Sequence, residues 1–201
     1  MFCPLKFYKN KEDSAVFLLN LGEQTTLRMN YHISACEATD IPTIFERYET
    51  AKAFQESKLT VTVWPDFSAA MVATEVAEKR QWKLVHEDTI ICVWAIAFND
   101  PNIWEERDAD PSIYIHRIAT HENYRGKELV KKIVDWAKPY AKSKNKTHIR
   151  LDTIGNNTRL IEYYQSAGFD FLGMFPITNP ESLPAHYCTG DPACLFEIKL
   201  S

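Results

Sequence analysis

The sequence predicts a mixed domain of the α/β or α+β class, with helices packed on the faces of one sheet. Two observations carry this. The second half of the chain alternates strand, helix, strand, helix, strand, an order that stacks helices on a sheet. Apolar residues recur at i, i+3, i+4, i+7 in some segments and run continuously in others, as helices and buried strands require. The chain's 201 residues, 45% hydrophobic and 25% charged, are enough to bury a substantial core.

Residues 1–29 read as a separate extension. Lys9–Asp13 is charged and turn-like, Ala15–Leu21 is apolar, and Gly22–Thr25 is a second turn. The segment is either an appended hairpin or the result of a start placed too early, with Met29 the natural first residue. The domain is expected over residues 30–201. Tyr31-His32-Ile33-Ser34 opens a first strand. Asp40 caps a helix with Pro42 in its first turn, where a missing N–H costs little. Ile41, Ile44, Phe45 and Tyr48 then follow helical spacing, as do Ala69, Val72, Ala73 and Val76 in a second helix.

Strands are expected at Trp82–Val85 and Thr89–Phe98, joined by the turn His86-Glu87-Asp88. The acidic stretch Asn99–Pro111 reads as a solvated loop leading to a strand at Ser112–Thr120; alternatively its Asp100, Glu105, Glu106, Asp108 and Asp110, set against one Arg107, attract a cationic acceptor. Leu129–Ala137 is a helix that ends or kinks near Pro139. His148–Asp152 is a short strand, Thr158–Ala167 a helix stopped by Gly168, and Asp170–Phe175 a further strand. A loop with Pro176, Pro180, Pro184 and Pro192 precedes the last strand, Cys194–Leu200.

Composition excludes several classes. No segment approaches the roughly 18 uncharged apolar residues of a membrane helix. A net charge of −4 argues against a broad nucleic-acid face. Five cysteines form no CxxC pair, and the first residues lack an export signal, so reduced thiols in the cytoplasm are expected. His186, Cys188, Asp191 and Cys194 fit no common zinc spacing, so no metal site is assigned.

The informative stretch is Ile118-Ala119-Thr120-His121-Glu122-Asn123-Tyr124-Arg125-Gly126-Lys127-Glu128-Leu129-Val130. A strand ends, a basic glycine-containing turn follows, and a helix begins at once. Such a turn presents unpaired N–H groups at a positive helix end and suits phosphate oxygens. One strand later comes Asn157, then Tyr164 seven residues on, then Gly168-Phe169.

Together the two stretches resemble the GNAT acetyltransferase superfamily, whose acetyl-CoA loop has the form Arg/Gln-x-x-Gly-x-Gly/Ala. The resemblance covers about residues 30–200. It implies the GNAT fold, a mixed, mostly antiparallel twisted sheet flanked by helices. It also implies an N-acetyltransferase with acetyl-CoA as co-substrate and an amine acceptor, small molecule or protein, of unknown identity. Ile118, Ala119, Thr120, Arg125, Gly126, Lys127, Glu128, Leu129, Val130, Asn157 and Tyr164 are its expected cofactor contacts. Glu128 replaces the loop's first glycine and Val130 its last small residue. At ~5 Å and an effective dielectric near 20 a carboxylate there repels diphosphate by roughly 3 kcal/mol. If it turns to water, about 1 kcal/mol remains. Asn157 either meets the pantetheine arm or caps its helix.

The resemblance further implies direct attack of the amine on the thioester, with both substrates bound. Tyr164 is the candidate proton donor to the departing thiolate, while Tyr163 is read as a packed aromatic. His116, with an ordinary pKa near 6.5, is the candidate base; Asp152 is its rival or its orienting partner. The acceptor is expected between the loop Thr60–Phe67, the acidic loop and the proline-rich loop. A non-catalytic acyl-CoA sensor, a longer acyl donor and a homodimer stay open; no nucleic-acid or membrane partner is expected.

Overall fold

The computed structural model describes residues 31–58 and 62–201. The expected hairpin at 1–29, the Met29 start, Cys3 and Thr60 lie outside the described residues. Seven strands form one sheet: β1 (Tyr31–Ala35), β2 (Gln81–His86), β3 (Thr89–Ala97), β4 (Ser112–Thr120), β5 (His148–Ile154), β6 (Asp170–Phe175) and β7 (Ala193–Lys199). Their order is β1-β2-β3-β4-β5-β7-β6, and only β4 and β5 run parallel. The helices are α1 (Ile41–Glu56), α2 (Ala69–Ala77), α3 (Pro101–Trp104), α4 (Leu129–Ser143) and α5 (Thr158–Ser166).

The strand β3 is covered on both faces, which is why its sequence is a continuous apolar run with Ile91–Ile96 buried throughout. On one face α4 and α5 pack over Trp94, Ile113, Leu151 and Phe196. On the other, α1 and α2 cover Val93 and Ala119, and α3 with the proline-rich loop covers Tyr114 and Leu195. Ser68 starts α2 by accepting the Met71 N–H.

Two expectations are corrected. The helix α4 does not stop near Pro139; it runs to Ser143 with the proline inside. Its apolar stripe continues through Ala137 to buried Ala141, and Trp136 and Tyr140 stack on each other and against Trp82. This packing outweighs the roughly 3 kcal/mol an internal proline costs. The stretch 99–111 is not a simple solvated loop. It holds α3 and a 3₁₀ turn at Glu105–Ala109, with Trp104 fully buried. Several of its acids have partners: Asp110 accepts from Arg150 at 2.6 Å and Glu105 from Thr178 at 2.9 Å.

Two irregularities shape the sheet's centre. The strands β4 and β5 pair only at Ser112–Tyr114 with His148–Arg150. Beyond that, β4 stays on β3 while β5 follows β7, so a gap opens between Ile115–Thr120 and Leu151–Ile154. Beside this gap β4 bulges: its register against β3 shifts between Val93 and Ala95, and Arg117 has φ +52°.

Candidate active site

The turn after β4 borders the gap. Glu122–Tyr124 forms a 3₁₀ turn, Gly126 has φ +75° and Glu128 φ +54°, and α4 begins at Leu129. Glycine at 126 answers the backbone conformation rather than crowding, because a Cβ there would touch nothing within 4 Å. Among the described residues, the N–H groups of Gly126, Glu128 and Leu129 enter no backbone–backbone hydrogen bond. Tyr163 packs against the core, and the Val130 backbone at the start of α4 lies close enough to its phenol to counter the rise in its pKa.

The expected charges around this turn are arranged differently. Arg125 does not lean over the amides. Its guanidinium donates to the Thr50 carbonyl at 2.9 Å and lies 4.3 Å from the Phe54 ring, tying the turn to the end of α1. Lys127 sits over the Tyr124 ring. Glu128 pairs with Lys131 and is 63% exposed, so its carboxylate faces water, as the weaker repulsion requires.

Along the gap, Ala119 is buried toward α1 and α2, Ile118 packs toward α4, and the Thr120 hydroxyl lies 3.5 Å from the Cys92 thiol. On α5, Asn157 caps the helix by accepting the Leu160 N–H at 3.1 Å. The helix closes with the Gly168 N–H on the Gln165 carbonyl and the Phe169 N–H on the Tyr164 carbonyl. That double bond pattern with Gly168 at φ +100° is a Schellman end, and the Phe169 ring packs on Tyr164 as such ends favour. The spacing of Tyr164 to Gly168-Phe169 thus fixes the tyrosine ring, which also meets Phe196. Its hydroxyl makes no hydrogen bond to a described residue. Burial, with Tyr163, Asp152 and Cys92 nearby, raises its pKa and keeps it protonated.

Across the sheet lies a cluster of Asp100, His116 and Asp152, whose polar atoms are all within 4.8 Å of one another. His116 Nε2 is 3.8 Å from Asp100 Oδ2, a buried oxygen with no other partner. Tyr187 donates to Asp152 at 3.0 Å. Burial raises Asp100 to about 8, helped by Asp152 and Asp108. Burial raises Asp152 to about 6, against the Tyr187 hydrogen bond. His116 does not keep its ordinary pKa near 6.5: burial, with Arg117 and Arg80 nearby, pushes it down to about 3. Burial thus favours the neutral forms of Asp100 and His116 and leaves Asp152 the more readily ionised of the two acids.

Two participants were not anticipated, and a third, Asp100, reads in the sequence chiefly as one of several solvated acids, with attraction of a cationic acceptor as the alternative. Tyr187 comes from the proline-rich loop, with no sequence signal. Arg117 binds Glu75 and Tyr48 from within β4, a side-chain direction only the bulge produces.

Residues 42–169 match the Acetyltransferase (GNAT) family, and the chain belongs to it. Over 74 residues it is 31% identical to the "Uncharacterized N-acetyltransferase YesJ" of Bacillus subtilis, a match spanning 37% of this chain and 41% of that protein. An acetyltransferase of the GNAT family from Listeria monocytogenes has a similar structure, with TM-score 0.66, 22% identity and coverage of 85% of this chain and 95% of that one. So does yncA of Salmonella typhimurium, solved with its cofactor acetyl-CoA, at TM-score 0.61 and 14% identity, covering 86% and 95% of the two chains. At these identities the two structures speak for the fold. Among the described residues, no helix is long and apolar enough to cross a membrane.

Proposed function

We propose that the protein transfers an acetyl group from acetyl-CoA to a primary amine, with both substrates bound together. One observation carries the reading: the gap between β4 and β5 has unbonded amides of a helix start at its rim, the Tyr164 phenol on α5 beside it, and a carboxylate–imidazole cluster on the opposite face. Nothing in the packing of the sheet needs these groups together.

The N–H groups of Gly126, Glu128 and Leu129, with the positive end of α4 behind them, hold the diphosphate. The open backbone edge of β4 at Ile118–Thr120 pairs with the pantetheine arm and directs the thioester into the gap. The amine enters from the other face as a cation, attracted by Asp152. Asp152, directly or through one water, takes its proton, and His116 stays neutral and accepts a hydrogen bond from the amine. The free amine nitrogen attacks the thioester carbon, and an N–H near Ile118 stabilises the oxygen as it gains charge. The C–N bond forms and the C–S bond breaks; the Tyr164 O–H gives its proton to the departing sulfur, and the extra proton on the new amide nitrogen passes through water to restore the phenol.

Two measurements test this. Saturation with acetyl-CoA at a hundred times its dissociation constant adds about 2.7 kcal/mol, a melting shift of roughly 5–10 °C for a chain of this size. No shift would overturn the reading. Thiol release with a panel of amines, wild type against Tyr164→Phe, then separates turnover from storage: a shift with no release from any amine points to an acyl-CoA sensor.

A further inference from the structure

The β4 bulge also aims a charged side chain. His116 and Arg117 are consecutive, yet both project to the α1–α2 face, His116 toward Asp100 and Arg117 toward Glu75 and Tyr48. Regular strands alternate sides, so the register shift and the left-handed φ of +52° are what turn Arg117 round. A non-glycine residue in that conformation is disfavoured, and such strain gathers at sites where a side chain must be aimed.

The guanidinium is only partly used. Its Nη2 grips both Glu75 oxygens at 2.6 and 2.5 Å, and its Nε lies 3.3 Å from the Tyr48 hydroxyl. Its Nη1 has no hydrogen-bond partner among the described residues, and 15% of the side chain stays open. Glu75 is shared with a second guanidinium, Arg80, at 3.6 Å, which also reaches Glu78 at the solvent surface and the Ile96 carbonyl. Two guanidiniums therefore meet one buried carboxylate. The charge of Arg117 is felt at His116, His186 and Tyr187, the last of which holds Asp152. This face of the sheet is bipolar, with the carboxylates of Asp100 and Asp152 around His116 and, at the next residue, a guanidinium edge unfilled by any described residue.

We propose that the acceptor is a zwitterion, an amine bearing a carboxylate as free amino acids do, with its ammonium at Asp100–Asp152 and its carboxylate on Arg117 Nη1. The amine end rests on the transferase reading above; the anionic end is new. Arg117 then sets specificity, since a planar fork with a free edge suits a carboxylate.

Matched pairs differing only by the carboxylate decide it: phenylalanine against phenethylamine, leucine against isoamylamine, lysine against cadaverine. For wild type, kcat/KM for at least one amino acid should exceed that of its amine by about tenfold or more, as a charged hydrogen bond warrants. Ratios near one or below in every pair overturn the proposal. In Arg117→Met with Glu75→Leu, which leaves no buried carboxylate unpaired, the preference should collapse to within about threefold. Its survival would remove Arg117 from the role. If that variant does not fold, Arg117→Lys, which keeps the charge but loses the fork, should lower the ratio by about tenfold. Calorimetry of the same pairs with CoA present separates the two readings. Absent turnover with amino acids still bound preferentially sinks the transferase reading alone, and absent preference in binding and turnover sinks the zwitterion.

Discussion

Asp152 is the residue whose environment best matches the task of a base near neutral pH. Burial lifts its pKa to about 6, so it is ionised at pH 7 and still basic enough to accept a proton. His116, held near 3, stays neutral throughout and is a much weaker acceptor. The sign is definite: as pH falls through 6, Asp152 takes up a proton and activity is lost. With saturating amine, kcat should fall about tenfold per unit below pH 6. Asp152→Asn should lower kcat about 100-fold or more, whereas His116→Ala should keep the same limb. A limb that disappears with His116→Ala would reverse the assignment. Tyr164→Phe should lower kcat by roughly 10- to 100-fold with little change in the affinity for acetyl-CoA, measured by titration calorimetry.

The elements around the cleft carry their own predictions. The start of α4 is held by Glu128 in the left-handed region, where glycine is at ease and glutamate is strained. Glu128→Gly should therefore bind acetyl-CoA several-fold more tightly, because about 1 kcal/mol of screened repulsion goes with the carboxylate. Stability should change little, since the relieved strain and the added chain entropy oppose each other. Affinity unchanged or weakened would mean that the amides of this turn do not face the diphosphate. At the other end, Gly168 at φ +100° closes α5 against Phe169. Gly168→Ala should cost about 1 kcal/mol or more by denaturant titration. It should also raise KM or lower kcat, because the same end fixes the Tyr164 ring.

At the scale of the whole molecule, the cleft is a place where stability is given up. Asp100 has its pKa raised from 3.8 to about 8, so the folded protein binds its proton more tightly than the unfolded chain does. That contribution is fully present below pH 4 and is lost as pH rises through 8. Asp100→Asn should accordingly raise the melting temperature, by about 4 °C or more at pH 8 and by less at pH 5, while weakening amine binding. Equal gains at both values would contradict the protonation assigned to the cluster.

Much of this was legible in advance. The periodic segments gave nearly every strand and helix, because burial of a continuous or one-sided apolar face leaves its period in the chain. The turn at Arg125–Val130 and the run from Asn157 to Phe169 were legible because each works through local backbone: open amides at a helix start, a cap, and a glycine-ended helix. What stayed hidden depends on partners far along the chain. Pro139 looked like a stop because its cost is local, while the aromatic packing that overrides it comes from β2 and β3. The bond from Arg125 to the end of α1 was equally out of sight, since Thr50 and Phe54 lie some seventy residues away. His116 carried the pKa of a free imidazole until burial and two guanidiniums lowered it, and Asp100 and Tyr187 joined the site only through folding. Sequence alone determined the elements and the glycine-containing turn before α4, since those are set within a dozen residues. Tertiary structure decided the Asp100–His116–Asp152 cluster and the aim of Arg117, because side-chain direction at a bulge and the charge of a buried acid follow from what the rest of the molecule packs against them.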